Sequence, residues 1–281
     1  MKKHLAVILA LCMSVVVVAQ DEDVVAGAWQ KSVAGGVNLT QNSFDNWAAG
    51  GDNAFSWQLN FNYKFEKDAE GFIWLNTGKL AYGNTKTGDA DMIKSADEIK
   101  VESVFTYKLG ASINPYAALT GETQLTESFD YSTSPDTAVS AFMDPGFFRV
   151  GLGAGMKVND MIKTRAGASF KQTVTSAYPR YSDDPDTPLE VETLRSEFGV
   201  ESVTDINWLI TETSLYTGKL EIFSNFGGLE EIDVNFDNIL TVKVSKYVNM
   251  NVNIKLLYDK DISARRQIKQ TMAIGLNYTF I

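Results

Sequence analysis

The chain has 281 residues, a formal net charge of −10, one histidine and one cysteine. His4 and Cys12 both lie within the first nineteen residues. Beyond them the chain has no imidazole or thiol, which excludes serine–histidine and cysteine–histidine catalysis and the usual zinc sites. The acidic balance disfavours binding to nucleic acid, which requires a basic face. We therefore expect a non-enzyme with no catalytic residue, no metal site, no cofactor and no nucleic-acid partner.

The N-terminal segment has the layout of a secretory signal peptide. A basic start precedes an apolar stretch from Leu5 to Val18, and Ala19 supplies a small residue for cleavage. The stretch is short for a membrane-spanning helix. The sequence predicts three parts, namely a signal peptide at 1–19, a periplasmic lead-in at 20–30 and a β-barrel at 31–281.

Apolar and polar residues alternate along most of the remaining chain. Phe55, Trp57 and Leu59, for example, alternate with Ser56 and Gln58, a pattern that indicates strands with one apolar and one polar face. Many of these stretches reach about ten residues, the length that a tilted strand needs to cross a bilayer. Twelve strands are predicted, at 31–41, 54–65, 72–83, 97–109, 115–126, 146–158, 161–175, 191–204, 209–223, 232–245, 248–258 and 267–280.

The predicted connections alternate in length. Short turns such as Asn159–Asp160 and Asp205–Trp208 alternate with long polar segments such as 84–96, 127–145 and 224–231. Short turns at one end and long loops at the other are typical of outer-membrane barrels. The predicted fold is all-β, a single transmembrane antiparallel barrel of about twelve strands in the outer membrane with both termini in the periplasm. The alternative is a soluble β-sandwich, which requires neither the strand length nor the loop asymmetry.

The C-terminal strand predicts two partners. Gly275 is followed by Tyr278 and Phe280, two aromatic residues two positions apart at the end of the chain. This ending resembles the signal by which barrels are recognised for insertion, with Ile281 as one additional residue. It implies contact with the barrel-assembly machinery, and the predicted location implies contact with outer-membrane lipid, including lipopolysaccharide.

Basic residues recur on the polar faces of the predicted strands. A lumen with one sign of charge would select solutes by its field, which favours small anions. The alternative is an interior closed by salt bridges, because unpaired charges in a narrow lumen are costly. The candidate lumen-lining residues are Lys64, Lys100, Arg149, Lys163, Arg165, Lys171, Arg195, Lys219, Lys243 and Lys255.

The segment at positions 38–53 has the most distinctive composition. It reads Asn-x-x-Gln-x-x-Phe-x-Asn-Trp-x-x-Gly-Gly-x-Asn, and its candidate plug or rim residues are Phe44, Asn46, Trp47, Gly50, Gly51 and Asn53. The chain here resembles an uncharacterised family of Gram-negative outer-membrane β-barrels, and the resemblance extends over nearly the whole mature chain. It implies a barrel and no activity. The loop is expected either to fold inward as a plug or to pack over the barrel rim.

Two functions remain open at the level of sequence. The first is a narrow or plugged channel for small anionic solutes, and the second is a non-transporting barrel that binds lipid or a protein through its long loops. Charge reversal at Lys163 and Lys171 should alter ion selectivity only in the first case.

Overall fold

Twelve strands close into an antiparallel barrel, as the alternation predicts. The structure, a computed structural model, describes residues 27–44, 52–183, 187, 190–259 and 263–281. Two further strands, β6 and β7, form a separate hairpin. The strands are β1 Trp29–Asn42, β2 Ala54–Asp68, β3 Phe72–Thr87, β4 Ile93–Tyr107, β5 Ile113–Thr123, β6 Ser128–Asp130, β7 Thr137–Ser140, β8 Gly146–Lys157, β9 Ile162–Val174, β10 Leu194–Thr211, β11 Ser214–Asn225, β12 Gly228–Lys243, β13 Val248–Asp259 and β14 Ser263–Thr279.

The barrel closes where the first strand meets the last. Consecutive barrel strands are neighbours, β5 pairs with β8 across the inserted hairpin, and β1 pairs with β14. Backbone hydrogen bonds of 2.7–2.9 Å join Val33 to Phe280 and Ile281 at this seam. We call this end of the barrel the terminal end and the opposite end the loop end. The signal peptide and residues 20–26 lie outside the described residues, and β1 begins two residues before the predicted boundary at 31.

The outer face of the barrel is apolar. Successive side chains of a strand point to opposite faces, so the apolar half of each alternating stretch lies outside once the polar half lies inside. Exposed apolar side chains on every part of the ring are the arrangement that barrels have in lipid. They include Leu59, Phe61, Val101, Phe105, Leu119, Leu152, Phe198, Val200, Ile254, Met272, Ile274 and Leu276. None of the described residues forms a helix long and apolar enough to cross a membrane, a finding that does not bear on strands.

Aromatic side chains cluster at the terminal end. Trp29 and Trp74 lie with ring centroids 5.5 Å apart, and Tyr278 lies 6.2 Å from Tyr247 and 5.1 Å from Phe280. Rings with a polar edge prefer the interface between lipid and water. The cluster therefore indicates where a membrane surface would cross the barrel.

Several connections are shorter than the sequence predicts. β3 continues to Thr87 and β4 begins at Ile93, so the predicted loop at 84–96 is a five-residue turn, and only residues 226–227 separate β11 from β12. The predicted turn at Asp205–Trp208 is wrong, because β10 runs on to Thr211. Because one face of each strand is polar, polar residues do not distinguish a strand from a loop. The sequence therefore predicts several strand ends too early. Three connections remain long, at 43–53, 124–145 and 175–193.

A charge on the outer face should destabilise the barrel. Leu152 lies in the middle of β8 and is exposed. Leu152→Arg should cost about 2–4 kcal/mol of folding free energy in lipid, because arginine replaces a lipid-facing apolar side chain. Urea titration of folding into phosphatidylcholine vesicles, followed by tryptophan fluorescence, measures this difference.

The matched control is Leu109→Arg. Leu109 is equally exposed but lies in the turn after β4, where the charge reaches water. Equal effects at the two positions would contradict a lipid-facing role for Leu152.

Candidate functional site

Ion pairs cross the barrel interior from one wall to the other. Lys100 Nζ on β4 lies 2.6 Å from Glu221 Oε2 on β11, and Lys255 Nζ on β13 lies 3.2 Å from Glu98 Oε1 on β4. These strands lie on nearly opposite sides of the ring, so the side chains must meet inside the lumen. We call the whole set the charge lattice, and its members are Lys79, Glu98, Lys100, Glu102, Glu122, Arg165, Lys171, Arg195, Glu197, Asp205, Lys219, Glu221, Asp233, Asp237, Lys255 and Asp259.

Glu102 connects three strands of the lattice. Its side chain, on β4, accepts hydrogen bonds from Arg165 on β9 and Lys219 on β11. Glu102 is only 6% exposed. A carboxylate this far from water depends on its cations, since an isolated buried charge is strongly unfavourable.

Lys171 forms a second centre toward the loop end. Its Nζ lies 2.6 Å from Asp233, 3.2 Å from Glu197 and 3.8 Å from Asp259. The ring of Phe223 lies beneath the same ammonium group, with 5.4 Å from Nζ to the centroid. Three carboxylates and an aromatic face thus surround one cation.

The interior is close to balanced in charge, which corrects the expected excess of basic residues. Asp205, Asp233, Asp237 and Asp259 all pair with lattice cations. Asp259 lies one residue beyond the predicted strand 248–258, but β13 reaches it. Asp205 falls in the predicted turn 205–208, and Asp233 and Asp237 lie on β12. The salt-bridged interior, left open at the level of sequence, is the arrangement present here.

The other predicted basic residues lie at the margins of the lattice. Lys64, Lys163 and Lys243 are exposed, and Lys64 pairs with Glu66 at 2.5 Å. Arg149 lies with its guanidinium 5.6 Å from the centroid of Phe223, and its Nε has no hydrogen-bond partner among the described residues. Of the ten candidates, Lys100, Arg165, Lys171, Arg195, Lys219 and Lys255 belong to the lattice.

A polar cavity of about 850 Å³ lies beside the lattice. Its wall on β1, β2, β13 and β14, which are adjacent in the ring, consists largely of side-chain amides. We call these residues the amide wall, and they are Asn38, Gln58, Asn60, Asn62, Asn249, Asn251, Asn253 and Asn277. The sequence shows amides at every second position of β2 and β13. It does not show that these strands lie beside β1 and β14, so the amide wall was not predicted.

A smaller cavity of about 180 Å³ adjoins the first. Lys100, Arg149, Lys171 and Glu221 are among its lining residues, and Glu122 lines both cavities. Lattice residues thus line both spaces, and the larger one adds the amide wall to Lys79, Glu98, Lys255 and Lys269.

Glycines at the seam make room for two of the amides. Gly36 on β1 faces Asn277 on β14, and Asn38 on β1 faces Gly275 on β14. A β-carbon at position 36 would lie 1.8 Å from Asn277 Oδ1, and one at position 275 would lie 2.2 Å from Asn38 Oδ1. Each asparagine therefore lies over the glycine of the opposite strand.

Two glycines of β8, Gly151 and Gly153, make room for different groups. Gly151 admits the carboxylate of Glu201, which accepts a 3.0 Å hydrogen bond from Tyr116 Oη. At position 153 a β-carbon would lie 2.2 Å from the carbonyl oxygen of Ala166 and 2.5 Å from Gly167 Cα. Gly153 thus permits a close approach of two backbones, and Gly151 leaves space that a lumen carboxylate occupies.

Buried aspartates fix the two longest connections at the loop end. Asp144 accepts hydrogen bonds from the backbone of Ser176 at 2.9 Å and Ala177 at 2.6 Å. Asp97 accepts them from Leu125 at 2.6 Å and Thr126 at 3.0 Å. Asp97 therefore holds the first connection to β4, and Asp144, which lies in that connection, holds the second connection to the first.

The expected plug or rim loop is described only at its ends. The backbone N–H of Phe44 donates to Asn53 Oδ1 at 2.7 Å, so these two residues close the loop across its base. Asn46, Trp47, Gly50 and Gly51 lie outside the described residues. Within the described part of the chain, no group of three acidic side chains has the arrangement of a metal site.

Two family models of unknown function match the chain. The model "Protein of unknown function (DUF3078)" matches residues 39–129, and "Protein of unknown function, DUF481" matches residues 148–280. The expected resemblance to an uncharacterised barrel family is thereby confirmed. No curated protein matches the sequence.

Among solved structures, similar chains include an outer-membrane channel, a porin and a translocator domain. The COG4313 outer membrane channel from Pseudomonas putida F1 shares 8% identity over 92% of this chain and 96% of that chain, with a TM-score of 0.41. The KdgM porin in complex with disordered oligogalacturonate shares 12% over 88% and 98%, with a TM-score of 0.34. The translocator domain of autotransporter NalP from Neisseria meningitidis shares 9% over 88% and 86%, with a TM-score of 0.37. These likenesses are too distant to carry an argument about function.

Removing the carboxylate of Glu102 should destabilise the barrel strongly. Glu102→Gln removes the carboxylate that hydrogen-bonds to both Arg165 and Lys219 and leaves them only Asp205, at 3.8 and 3.6 Å, which should cost about 3–5 kcal/mol. Equilibrium unfolding in urea measures the loss. The control Asp160→Asn breaks the exposed pair with Lys157 and should leave stability unchanged, and a Glu102→Gln barrel as stable as this control would contradict the role of the lattice.

A methyl group at Gly153 should force the walls of β8 and β9 apart. Gly153→Ala should cost about 1–3 kcal/mol, because the obstructing atoms are backbone and cannot rotate away. Gly71→Ala is the control, since a β-carbon there meets no atom within 4 Å. In detergent, Gly153→Ala should have a lower melting temperature than Gly71→Ala. Equal melting temperatures would show that β8 and β9 accommodate the methyl group.

Proposed function

We propose that the protein is a narrow, non-enzymatic outer-membrane channel for small hydrophilic solutes. The observation that carries this proposal is the extent of the larger cavity. Its lining on β14 runs from Gln267 to Thr279, which at about 3.3 Å per residue is roughly 40 Å of tilted strand. At the loop end the same cavity reaches Gln124 and Pro145. A polar space of that length is comparable with the hydrocarbon thickness of a bilayer.

The charge lattice supports a narrow passage. Its ion pairs occupy the middle of the ring between β4 and β11, so a solute has only the space beside them. The pairs also remove most of the field that a ring of like charges would produce. Selection would therefore depend on the size and hydrogen-bonding capacity of the solute as well as on its charge.

A modest preference for anions is part of the proposal. Lys269 lines the larger cavity and donates from Nζ to the carbonyl of Ser95 at 2.7 Å, with no carboxylate within 4 Å in the described chain. Arg149 has no ion-pair partner among the described residues either, and it lines the smaller cavity. The lattice has seven cations and nine carboxylates, so these two cations bring the lumen close to neutral and place a local positive charge on the wall of each cavity.

We propose an outer-membrane location on the basis of three features of the barrel. The apolar outer face, the aromatic cluster and the C-terminal strand support insertion into the outer membrane with both termini in the periplasm. We infer that residues 1–19 are removed on export and that β14 contacts the barrel-assembly machinery. Lipopolysaccharide would then surround the barrel in the outer leaflet.

Single-channel recording in a planar bilayer tests the proposal. The refolded mature protein should give discrete openings with a reversal potential that indicates anion preference in a salt gradient. Lys269→Glu should shift that potential toward cation preference, because it reverses the charge of an unpaired lumen cation. Lys246→Glu is the control, since Lys246 lies in an exposed turn at the terminal end and should leave the potential unchanged.

A folded barrel that never conducts would contradict the proposal once the plug has been tested. A variant with residues 45–51 replaced by a glycine–serine linker of equal length removes the candidate plug residues Asn46, Trp47, Gly50 and Gly51. Openings that appear only in this variant would indicate a plugged channel. Silence in both proteins, each shown to be folded by its mobility change on heating, would overturn the channel.

A second function is favoured by the apolar surface of the loop end. Phe129 and Tyr131 are exposed with ring centroids 6.2 Å apart, and Phe142 is exposed on the same connection. Ser132 donates two hydrogen bonds to Asp130 and lowers the pKa of that carboxyl, so the hairpin presents an ionised group beside the rings. An ordered aromatic surface outside the barrel is suited to bind a protein partner. If the folded barrel does not conduct, we propose this binding function in place of the channel.

A further inference from the structure

Arg149 carries a charge into the lumen without a counterion. Among the described residues it has no hydrogen-bond or ion-pair partner, and its guanidinium lies 5.6 Å from the ring centroid of Phe223. Of its three side-chain nitrogens, Nε alone is buried without a partner. The terminal nitrogens Nη1 and Nη2 therefore remain accessible, and Arg149 lines the smaller cavity.

Glu122 is a carboxylate with spare capacity in the wall of the same cavity. Its ion-pair partner in the described chain is Lys100, at 3.5 Å between Nζ and Oε2, and its side chain is 30% exposed. This distance is longer than that of a charge-assisted hydrogen bond. Because a carboxylate offers about four acceptor sites, Glu122 can accept hydrogen bonds from a further cation.

Arg149 and Glu122 occupy diagonal positions on neighbouring strands. Glu122 of β5 pairs with Phe147 of β8, and Arg149 of β8 pairs with Thr120 of β5. Diagonal neighbours of this kind are about 7–8 Å apart. The two opposite charges form no ion pair with each other in the described chain, and both line the smaller cavity. A solute in that cavity thus meets an accessible cation on one side and an accessible carboxylate on the other.

The charges around the cavity disfavour a solute of a single sign. Lys100 contacts Glu221 at 2.6 Å, and Lys171 contacts Asp233 at 2.6 Å and Asp259 at 3.8 Å. With Glu122 and Arg149, the described lining has four carboxylates and three cations. A simple anion would add to the negative excess, and a simple cation would leave Arg149 without a partner. A solute with one charge of each sign changes neither balance.

Apolar side chains complete the wall. Phe147, Phe223 and Leu257 line the smaller cavity, and Phe223 is only 1% exposed. Phe147 and Leu257 also line the larger cavity, so they lie where the two spaces meet. A volume of about 180 Å³ corresponds to roughly six water molecules. The space therefore suits a short apolar group whose charged end reaches Arg149 and Glu122.

We propose that the smaller cavity binds a zwitterionic solute of the size of an apolar amino acid, with its carboxylate on Arg149 and its ammonium group on Glu122. A guanidinium matches a carboxylate in geometry, and hydrogen bonds to charged groups are the stronger ones. The inference deepens the proposed channel by naming a class of solute. Binding itself requires the cavity and does not require conduction.

Isothermal titration calorimetry of the folded mature protein in detergent tests the proposal with L-leucine and two matched analogues. 4-Methylpentanoate is leucine without the ammonium group, and 3-methylbutylamine is leucine without the carboxylate. Each analogue should bind at least about tenfold more weakly than leucine, because it loses the hydrogen bonds to one charged group.

Two variants assign the two ends of the solute. Arg149→Gln should remove the preference for leucine over 3-methylbutylamine and keep the preference over 4-methylpentanoate. Glu122→Gln should have the opposite effect. Lys246→Gln is the control, because Lys246 is an exposed cation that is not among the residues lining the cavity, and it should leave all three affinities unchanged.

The outcomes distinguish this inference from the channel itself. Leucine binding with both preferences in a folded barrel that never conducts supports the site and contradicts the channel. A conducting barrel that binds leucine no more tightly than the two analogues, or not at all, overturns the site and leaves the channel standing. This comparison uses the unaltered protein, so it decides the inference even if a variant fails to fold. An Arg149→Gln barrel that keeps its full preference over 3-methylbutylamine also overturns the site.

Discussion

The arrangement of the interior depends on pairing charges that have been taken out of water. Glu102 receives Arg165 and Lys219 from two other strands, and Lys171 receives three carboxylates. Each of these groups would be strongly unfavourable alone in a narrow lumen, so the pairs hold opposite walls at a fixed separation. The shape of the remaining space is a consequence of that separation. The neutral amides occupy the wall of β1, β2, β13 and β14, where Lys255 and Asp259 of β13 are the lattice members.

The apolar exterior and the polar interior impose opposite requirements on each strand. Outward positions carry apolar side chains that face lipid, and inward positions carry charges, amides or glycine. Glycine occupies inward positions where a side chain would collide with another group. At Gly151 that group is the carboxylate of Glu201, and at Gly153 it is the backbone of β9. The glycines of this barrel thus adjust the distance between walls without altering the alternation that defines the strands.

Period-two alternation was sufficient to predict all twelve barrel strands, because each strand has one lipid-facing and one lumen-facing side. It failed at strand ends such as Trp208, where the strand extends past polar residues. The ion pairs were beyond sequence reasoning, since Lys100 and Glu221 are 121 residues apart and meet only when the ring closes. The alternate amides of β2 and β13 are visible in the sequence, but only closure of the ring brings these strands beside β14 and β1 to form one wall. Six of the ten basic candidates belong to the lattice, but the alternation does not indicate which carboxylate each of them meets.

The alternating glycines and asparagines of the seam also bear on how accurately the barrel closes during assembly. With Gly36 opposite Asn277 and Asn38 opposite Gly275, each bulky amide has an empty place across from it. A slip of β14 by two residues in one direction would set Asn277 against Asn38, and in the other direction would set Gly36 against Gly275. The first leaves two side chains competing for one volume, and the second leaves a hole. The seam therefore discriminates between the correct register and its nearest errors at the last step of closure, where no further strand remains to correct them.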